Sequence, residues 1–187
     1  MGHKRLRFVG LIAVAMVLVV ACGSSGGGTP TKTFKIGLVT DTGGLNDKSF
    51  NHLADVGLEK AKTDFKIQGD VKESKTGDDY IPNLTDFASK NYDLVIGVGF
   101  LMQAQVGTVS GQFPNIHFAI IDGAGTDAKG VDLKHPNVQS LYFKEQDAGA
   151  MVGVIAGWLE KNGKAKKNQH VISAVGGVSI HPGQGVP

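Results

Sequence analysis

Residues 34–61 read FKIGLVTDTGGLNDKSFNHLADVGLEKA, and this stretch changes its periodicity part of the way along. It begins with a short run rich in β-branched and apolar residues, which predicts a strand over 34–40. A glycine-containing loop follows at 41–46. Apolar residues then recur at three- and four-residue spacing, which predicts an amphipathic helix over about 47–64. A strand, a loop and a helix in this order are typical of α/β proteins.

The rest of the chain repeats this alternation, and no internal sequence repeat is apparent. Further strands are predicted at 66–73, 93–97, 116–121, 138–143 and 170–175, and further helices at 81–88, 101–112 and 146–161. Residues 123–130, GAGTDAKG, are polar and glycine-rich, which predicts a loop. Because strands alternate with helices of ten or more residues, we expect an α/β fold with a doubly wound parallel sheet.

The segment before this domain has the layout of a secretory signal. Three basic residues precede an apolar run at 8–21, which is too short to span a bilayer comfortably. A signal peptide is therefore predicted over 1–21. The letters VVAC resemble a bacterial lipobox, in which Cys22 is diacylated and becomes the mature N-terminus; the alternative is an ordinary signal peptide with an incidental cysteine. Residues 22–33 would then form a lipidated Gly/Ser tether.

Removing that signal changes the charge of the 187-residue chain. The formal charge of +2 becomes −1, because 16 basic residues then stand against 17 acidic ones. No basic patch interleaved with aromatic residues follows, so nucleic acid is not expected as a partner. With 41% hydrophobic and 19% charged residues, the chain is neither a disordered tail nor a polytopic membrane protein. A single cysteine excludes a disulfide scaffold.

Polar and aromatic residues stand where three of the predicted strands end. Ligands of open α/β sheets bind outside the carboxyl ends of the strands, at the point where strand order reverses. Carboxylates, amides and aromatic rings there suit a neutral, flat ligand with polar edges. The candidate binding residues are Asp41, Asn46, Asp47, Phe50, Asn51, Phe100 and Asp122.

Five of the seven candidates also have a structural interpretation. Asp41 and Asn46 are the residue types that cap turns and helices. Phe50 and Phe100 could be core residues, and Asp122 precedes a glycine, as turn residues often do. It is the convergence at one sheet edge that favours binding.

Enzyme motifs are weak in this chain. DTGGLND lacks the third glycine of a dinucleotide-binding loop, and the G-K-[ST] of a phosphate-binding loop is missing. There is no G-x-S-x-G elbow, and the six histidines show no metal-ligand spacing. We therefore expect no enzyme activity, no metal and no cofactor. The stripe Gly149, Gly153 and Gly157 predicts close packing of a helix on the sheet rather than helix pairing in a membrane.

Four segments resemble one family in the same order along the chain. They are KIGLVTDTGGLNDKSFNHLADVGLEKA, YDLVIGVGFLMQAQV, FPNIHFAIIDG and NVQSLYFKEQDAGAMVGVIAG. Together they resemble the basic membrane protein / purine nucleoside receptor family, the lipid-anchored substrate-binding proteins of ABC importers with the type I periplasmic-binding-protein fold. The resemblance covers about residues 34–180 and is most specific in DTGGLNDKSFN.

The resemblance implies a purine nucleoside bound between two lobes, with ABC permease and ATPase subunits as partners. Phe50 or Phe100 would stack on the base. Asp122 and one of Asn46 or Asn51 would bind the base edges, and a carboxylate that accepts a ring N–H makes a charge-assisted bond. Asp41 and Asp47 would repel phosphate. We expect a monomer held by its lipid on the extracytoplasmic face of the cell membrane.

The end of the chain departs from that family. The resemblance implies that residues 34–180 are the N-terminal ligand-binding lobe. Residues 181–187 predict an irregular tail at a truncation point, so that the second lobe is expected to be missing. We therefore expect weak or undetectable nucleoside binding by this chain alone. Two alternatives remain open: a type I binding protein for another small solute, such as a sugar or an amino acid, and a cell-surface α/β enzyme.

Overall fold

The part of the protein that the structure describes folds around five parallel strands. The computed structural model describes residues 32–164 and 171–174. The predicted signal peptide at 1–21, Cys22 and the tail at 181–187 lie outside the described residues. The strands are β1 (Lys35–Val39), β2 (Gln68–Lys72), β3 (Leu94–Val98), β4 (His117–Ile121) and β5 (Val138–Leu141), in the order β2-β1-β3-β4-β5.

Within the described residues, four helices accompany the sheet. They are α1 (Phe50–Phe65), α2 (Tyr80–Ser89), α3 (Gln103–Gln112) and α4 (Glu145–Lys161), with single 3-10 turns at Gly77–Asp79 and Phe100–Met102. These bounds lie within about three residues of the predicted ones at most ends. The predicted α/β fold with a parallel sheet is confirmed.

The sheet is covered by helices on both faces. On one face, Leu58 of α1 packs with Leu38 and Val98. On the other face, α2 and α3 bury a larger cluster in which Leu84, Phe87, Val106 and Val109 meet the strand residues Val39, Val95, Phe118 and Ile120. Successive strand residues therefore enter opposite cores, which explains why these strands are almost continuously apolar.

The connection from β4 to β5 contains no helix. Residues 122–137 run as an irregular loop, which agrees with the loop predicted at 123–130. This loop lies directly on α3, because a Cβ at Gly107 would be 2.1 Å from the carbonyl oxygen of Thr126. Gly107 is therefore required for the close approach of the loop to the helix.

The C-terminal part differs from two predictions. The interpretation that α4 packs closely on the sheet through its glycines is wrong, because a Cβ at Gly149, Gly153 or Gly157 would meet no atom of residues 32–164 and 171–174 within 4 Å. No residue of α4 is buried. Of the strand predicted at 170–175, the described residues 171–174 form no strand and are exposed.

Candidate functional site

The site lies at the carboxyl edge of the sheet, between β1 and β3. After β1 the chain crosses to β2 on one side, and after β2 it crosses back to β3 on the other, so the strand order reverses at this point. Such a reversal opens a crevice, because the two crossover helices lie on opposite faces of the sheet. The loop 40–49 follows β1, and Gly99 follows β3.

Asp41 is held in a fixed orientation by Asn51. The Asn51 side chain donates from Nδ2 to Asp41 Oδ1 at 2.6 Å, and its Oδ1 accepts the Asp41 backbone N–H at 3.1 Å. Asp41 Oδ1 also accepts the backbone N–H of Gly43 at 2.8 Å. Asn51 is only 1% exposed. Among the described residues no donor satisfies Asp41 Oδ2, so this oxygen is available to a ligand.

The carboxylate of Asp41 also requires a glycine at position 99. Gly99 has a φ of 94°, and a Cβ there would be 2.9 Å from Asp41 Oδ2. The absence of a side chain at the end of β3 therefore leaves room for the free oxygen at the end of β1.

Asp47 caps the start of α1. Its Oδ1 accepts the backbone N–H groups of Ser49 and His52 at 2.8 and 3.0 Å, and its Oδ2 accepts that of Asn51 at 3.0 Å. Burial acts to raise the pKa of Asp47, but the three N–H donors outweigh it and hold the pKa below its usual value. Asp47, rather than Asn46, thus satisfies the helix N-terminus.

Glu73, the residue that follows β2, fixes the middle of the loop. Its Oε2 accepts the backbone N–H of Leu45 at 3.0 Å. The same oxygen would be 2.9 Å from a Cβ at Gly44, which has a φ of 65°. The loop is thus held from the ends of two strands and from the first turn of α1.

An apolar pocket of about 300 Å³ adjoins this loop. It is lined by Ser49, Phe50, Leu53, Ala54, Ile121 and Phe143. Phe50 is 42% exposed, so it is not a core residue. The ring of Phe143 packs edge-on to that of Phe50, with centroids 5.7 Å apart and an interplanar angle of 62°. The pocket suits a flat apolar ring system, and one of its lining residues, Ile121, directly precedes Asp122 in the chain.

Asp122 extends the site to the end of β4. Its φ is 62°, a conformation that acidic residues tolerate better than most, and its backbone N–H donates to the carbonyl of Leu141 at 2.8 Å. Burial raises the pKa of Asp122, and the nearby carboxyl of Glu145, which also shares a hydrogen bond with it, raises it further. A ligand N–H donor between these two carboxyls would relieve their repulsion.

Two other predicted residues, Asn46 and Phe100, are less closely connected to the site. Asn46 is an exposed turn residue, and Phe100 is half-buried in the 3-10 turn after β3. Neither enters the hydrogen-bond network around Asp41 in the described part of the chain. Glu73, Gly99, Phe143 and Glu145 were not predicted. The rule that sites form at strand ends could have found the first three, since Glu73 and Gly99 directly follow β2 and β3 and Phe143 comes two residues after β5.

The chemistry of the site is that of recognition. Carboxylates, an amide and two aromatic rings lie at this edge of the sheet. The charged side chains that form the hydrogen bonds given above are all acidic. Across residues 32–164 and 171–174, no group of acidic, histidine or cysteine side chains could hold a metal ion. Within those same ranges, no helix has the length and hydropathy needed to cross a membrane.

Comparison with known proteins gives a consistent result. A family model described as ABC transporter substrate-binding protein PnrA-like (Bmp) matches residues 34–182. An uncharacterised lipoprotein of Pyrococcus horikoshii is 34% identical over 185 residues, which cover 95% of this chain and 42% of that protein. The ABC transporter nucleoside-binding protein BmpA of Lactococcus lactis is 31% identical, over 86% of this chain and 46% of the relative.

Solved structures include a similar fold. An ABC transporter solute-binding protein from Aeropyrum pernix superposes with a TM-score of 0.59 at 29% identity, over 69% of this chain and 34% of that one. The chain thus spans less than half the length of the curated relatives it matches. These matches confirm the resemblance carried by the four sequence segments.

Proposed function

Because the chain belongs to the Bmp family of PnrA-like ABC transporter substrate-binding proteins, we propose that it binds a purine nucleoside at the carboxyl edge of its sheet. In this proposal it serves as a lipid-anchored binding protein of an ABC importer. The base stacks on Phe50, its ring N–H donates to Asp41, and an exocyclic amine, where the base has one, donates to Asp122. The L. lactis relative is named a nucleoside-binding protein, which supports this ligand class.

The observation that carries the proposal is the orientation of Asp41. Asn51 and Gly43 occupy one carboxylate oxygen, while Oδ2 has no donor among the described residues and lies against Gly99. A ligand N–H that reaches Oδ2 makes a charge-assisted hydrogen bond with little reorganisation of the protein. The exposed ring of Phe50 offers an aromatic face beside the same loop.

The charge of the site favours nucleosides over nucleotides. Asp41, Asp47, Glu73, Asp122 and Glu145 all lie at this edge, and no lysine or arginine among the described residues pairs with them. These carboxylates would repel a phosphate group placed beside them. An uncharged ligand with N–H donors suits this surface.

Family membership also supports the proposed lipid anchor and the proposed ABC permease and ATPase partners. Cys22 would carry the lipid, and relatives named as lipoproteins support this. The test is metabolic labelling with a palmitate analogue of the wild type and of Cys22→Ala in a bacterial host. The proposal requires label in the wild-type protein and none in the variant.

The ligand is tested by NMR titration of the isotope-labelled chain with inosine, inosine monophosphate and ribose. Inosine should shift the amide signals of residues 41–51, 99 and 122, and Asp41→Asn should weaken the binding about tenfold, as expected for the loss of one charge-assisted bond. Asp64→Asn, at the far end of α1, is the matched control and should bind like the wild type. Shifts with ribose alone would indicate a sugar site. NMR detects weak binding in the millimolar range, which is what one lobe alone is expected to give. Localised shifts that are absent at millimolar inosine, or equal in the wild type and in Asp41→Asn, would refute the proposal.

A further inference from the structure

Two aromatic side chains are exposed at the amino edge of the sheet, opposite the candidate site. Phe34 directly precedes β1 and is 45% exposed, although its carbonyl accepts the backbone N–H of Gln68 at 2.9 Å. Phe65 is the last residue of α1, three positions before β2, and is 75% exposed. Because β1 and β2 are parallel neighbours, the chain enters both strands at the same edge. The two exposed rings therefore lie at one end of the domain.

The same edge carries lysines whose charge is not neutralised. Lys66 follows α1, and Lys134 lies four residues before β5; both are exposed, and neither forms an ion pair with another described residue. The nearby carboxylates are already occupied. Asp64 accepts from Lys60 Nζ at 2.6 Å, and Asp93 accepts a backbone N–H at 2.9 Å. The amino edge thus presents positive charge, whereas the candidate site at the carboxyl edge presents carboxylates.

Lys66 and Lys134 occupy backbone positions that favour other residue types. Their φ angles are 55° and 49°, which lie in the left-handed region. Glycine or asparagine is the usual residue there, and Lys66 stands directly after a helix, where glycine is commonest. A role for the positive charge accounts for lysine at both positions.

The proposed lipid anchor is connected to the domain at this edge. Residues 22–33 join Cys22 to Phe34, and twelve residues at about 3.3–3.6 Å each span at most roughly 40 Å. Phe34 is therefore the part of the folded domain that lies nearest to Cys22 along the chain. With Cys22 in a bilayer, the amino edge can reach the lipid surface without any change in the fold.

We infer that the amino edge of the sheet docks on the surface of an anionic lipid bilayer. Phe34 and Phe65 lie in the interfacial region, and Lys66 and Lys134 lie at the lipid phosphates. Amphipathic and aromatic side chains favour that region, and an anionic leaflet attracts lysines close to it. The inference rests on the proposed lipid anchor but not on the ligand of the site, which stays open at the opposite edge.

Bromine atoms on the lipid acyl chains provide the test, because they quench indole fluorescence at short range. Cys22 is the only cysteine, so a chain of residues 22–187 can be coupled through it to a maleimide lipid whether or not a cell acylates it. The described fold begins after residue 32, so removal of residues 1–21 leaves it intact. The vesicles contain brominated phosphatidylcholine and phosphatidylglycerol. Acylation in cells is measured separately by the palmitate labelling, so the anchor and the docking surface can fail independently.

Two positions on α1 are compared in a Trp158→Phe background. Phe65→Trp places an indole at the amino edge, and Leu53→Trp places one at a 64% exposed site about 18 Å away along the helix. The indole at position 65 should be quenched at least about twofold more strongly, because apolar side chains at an interface lie about 5–10 Å into the headgroup boundary. Vesicles of brominated phosphatidylcholine alone should reduce this difference.

Lys66→Gln together with Lys134→Gln should bring the quenching at position 65 close to that at position 53, since two lysines near an anionic surface strengthen the contact roughly 25-fold. Lys48→Gln together with Lys75→Gln removes the same charge at the carboxyl edge and should leave the quenching unchanged. The inference is overturned if the two positions are quenched alike, if the anionic lipid has no effect, or if the two lysine pairs behave alike. It is also overturned if Trp158 of the wild type is quenched more strongly than position 65, which would place α4 against the bilayer.

Discussion

Replacing Asn51 by Ala should destabilise the chain and release the loop that follows β1. The side chain of Asn51 is buried and makes two hydrogen bonds to Asp41, one of them at 2.6 Å to the carboxylate. A bond to a charged group contributes about 1.5–3 kcal/mol and a neutral one about 0.5–1.5 kcal/mol. Asn51→Ala should therefore lower the free energy of unfolding by about 2–4 kcal/mol.

The assay is chemical denaturation followed by far-UV circular dichroism, since the only tryptophan lies on the exposed helix α4 and reports poorly on this loop. His52→Ala is the matched control. Its exposed side chain is on the next residue, and its backbone N–H still donates to Asp47. The control should change the free energy of unfolding by less than about 0.5 kcal/mol.

Asn51→Asp sharpens the test, because it keeps the shape but places a second carboxyl beside Asp41. At neutral pH it should be less stable than Asn51→Ala, and it should recover stability in acid, where one of the two carboxyls takes up a proton. If Asn51→Ala is as stable as His52→Ala, the two hydrogen bonds do not hold Asp41, and the account of the site is refuted.

Three further predictions concern single residues. Gly99→Ala should lower the free energy of unfolding by about 1–3 kcal/mol, because Gly99 has a positive φ and lies against the Asp41 carboxylate. In the same denaturation assay, Gly57→Ala should raise the free energy of unfolding by about 0.5–1 kcal/mol, because a Cβ at this position of α1 would meet no other described atom within 4 Å. Burial and Glu145 raise the pKa of Asp122 in the folded state, so the stability of the protein should fall as pH rises from the usual pKa of 3.8 through the raised pKa of the folded state. Thermal melts of Asp122→Asn should show no such fall, and at neutral pH the variant should have a higher melting temperature than the wild type. Phe118→Ala should cost about 3–5 kcal/mol, and an effect below about 1 kcal/mol would contradict its place in the core.

The periodicity of the sequence was sufficient to predict the sheet and its helices. Apolar runs such as those of β3 and β4 are what strands buried on both faces require. The rule for strand ends predicted that Asp41 and Asp122 lie at the carboxyl edge of the sheet, and the structure has them there; that they bind a ligand stays a prediction. The identity of the helix cap was not predictable, because Asn46 and Asp47 are both favourable capping types and only the path of the loop selects Asp47.

Asn51 shows a second limit of sequence reasoning. The prediction placed it among residues that contact the ligand, but the phase of α1 turns it inward, where it is 1% exposed and holds Asp41. Phe143 was missed because the predicted strand extended to that residue, whereas β5 ends at Leu141. The packing of α4 could not be predicted from its glycines, since small residues permit a close contact but do not specify the partner.

The order of the strands has a consequence for synthesis of the protein. β1 pairs with β2 on one side, but its other partner is β3, and Leu94 follows Ile36 by 58 residues. At about 5–20 residues per second, a ribosome needs roughly 3–12 s to cover that distance. For this time the nascent chain carries an apolar strand with one edge open to neighbouring chains. The yield of native protein should therefore depend on how fast the message is translated and on which chaperones meet the chain as it emerges.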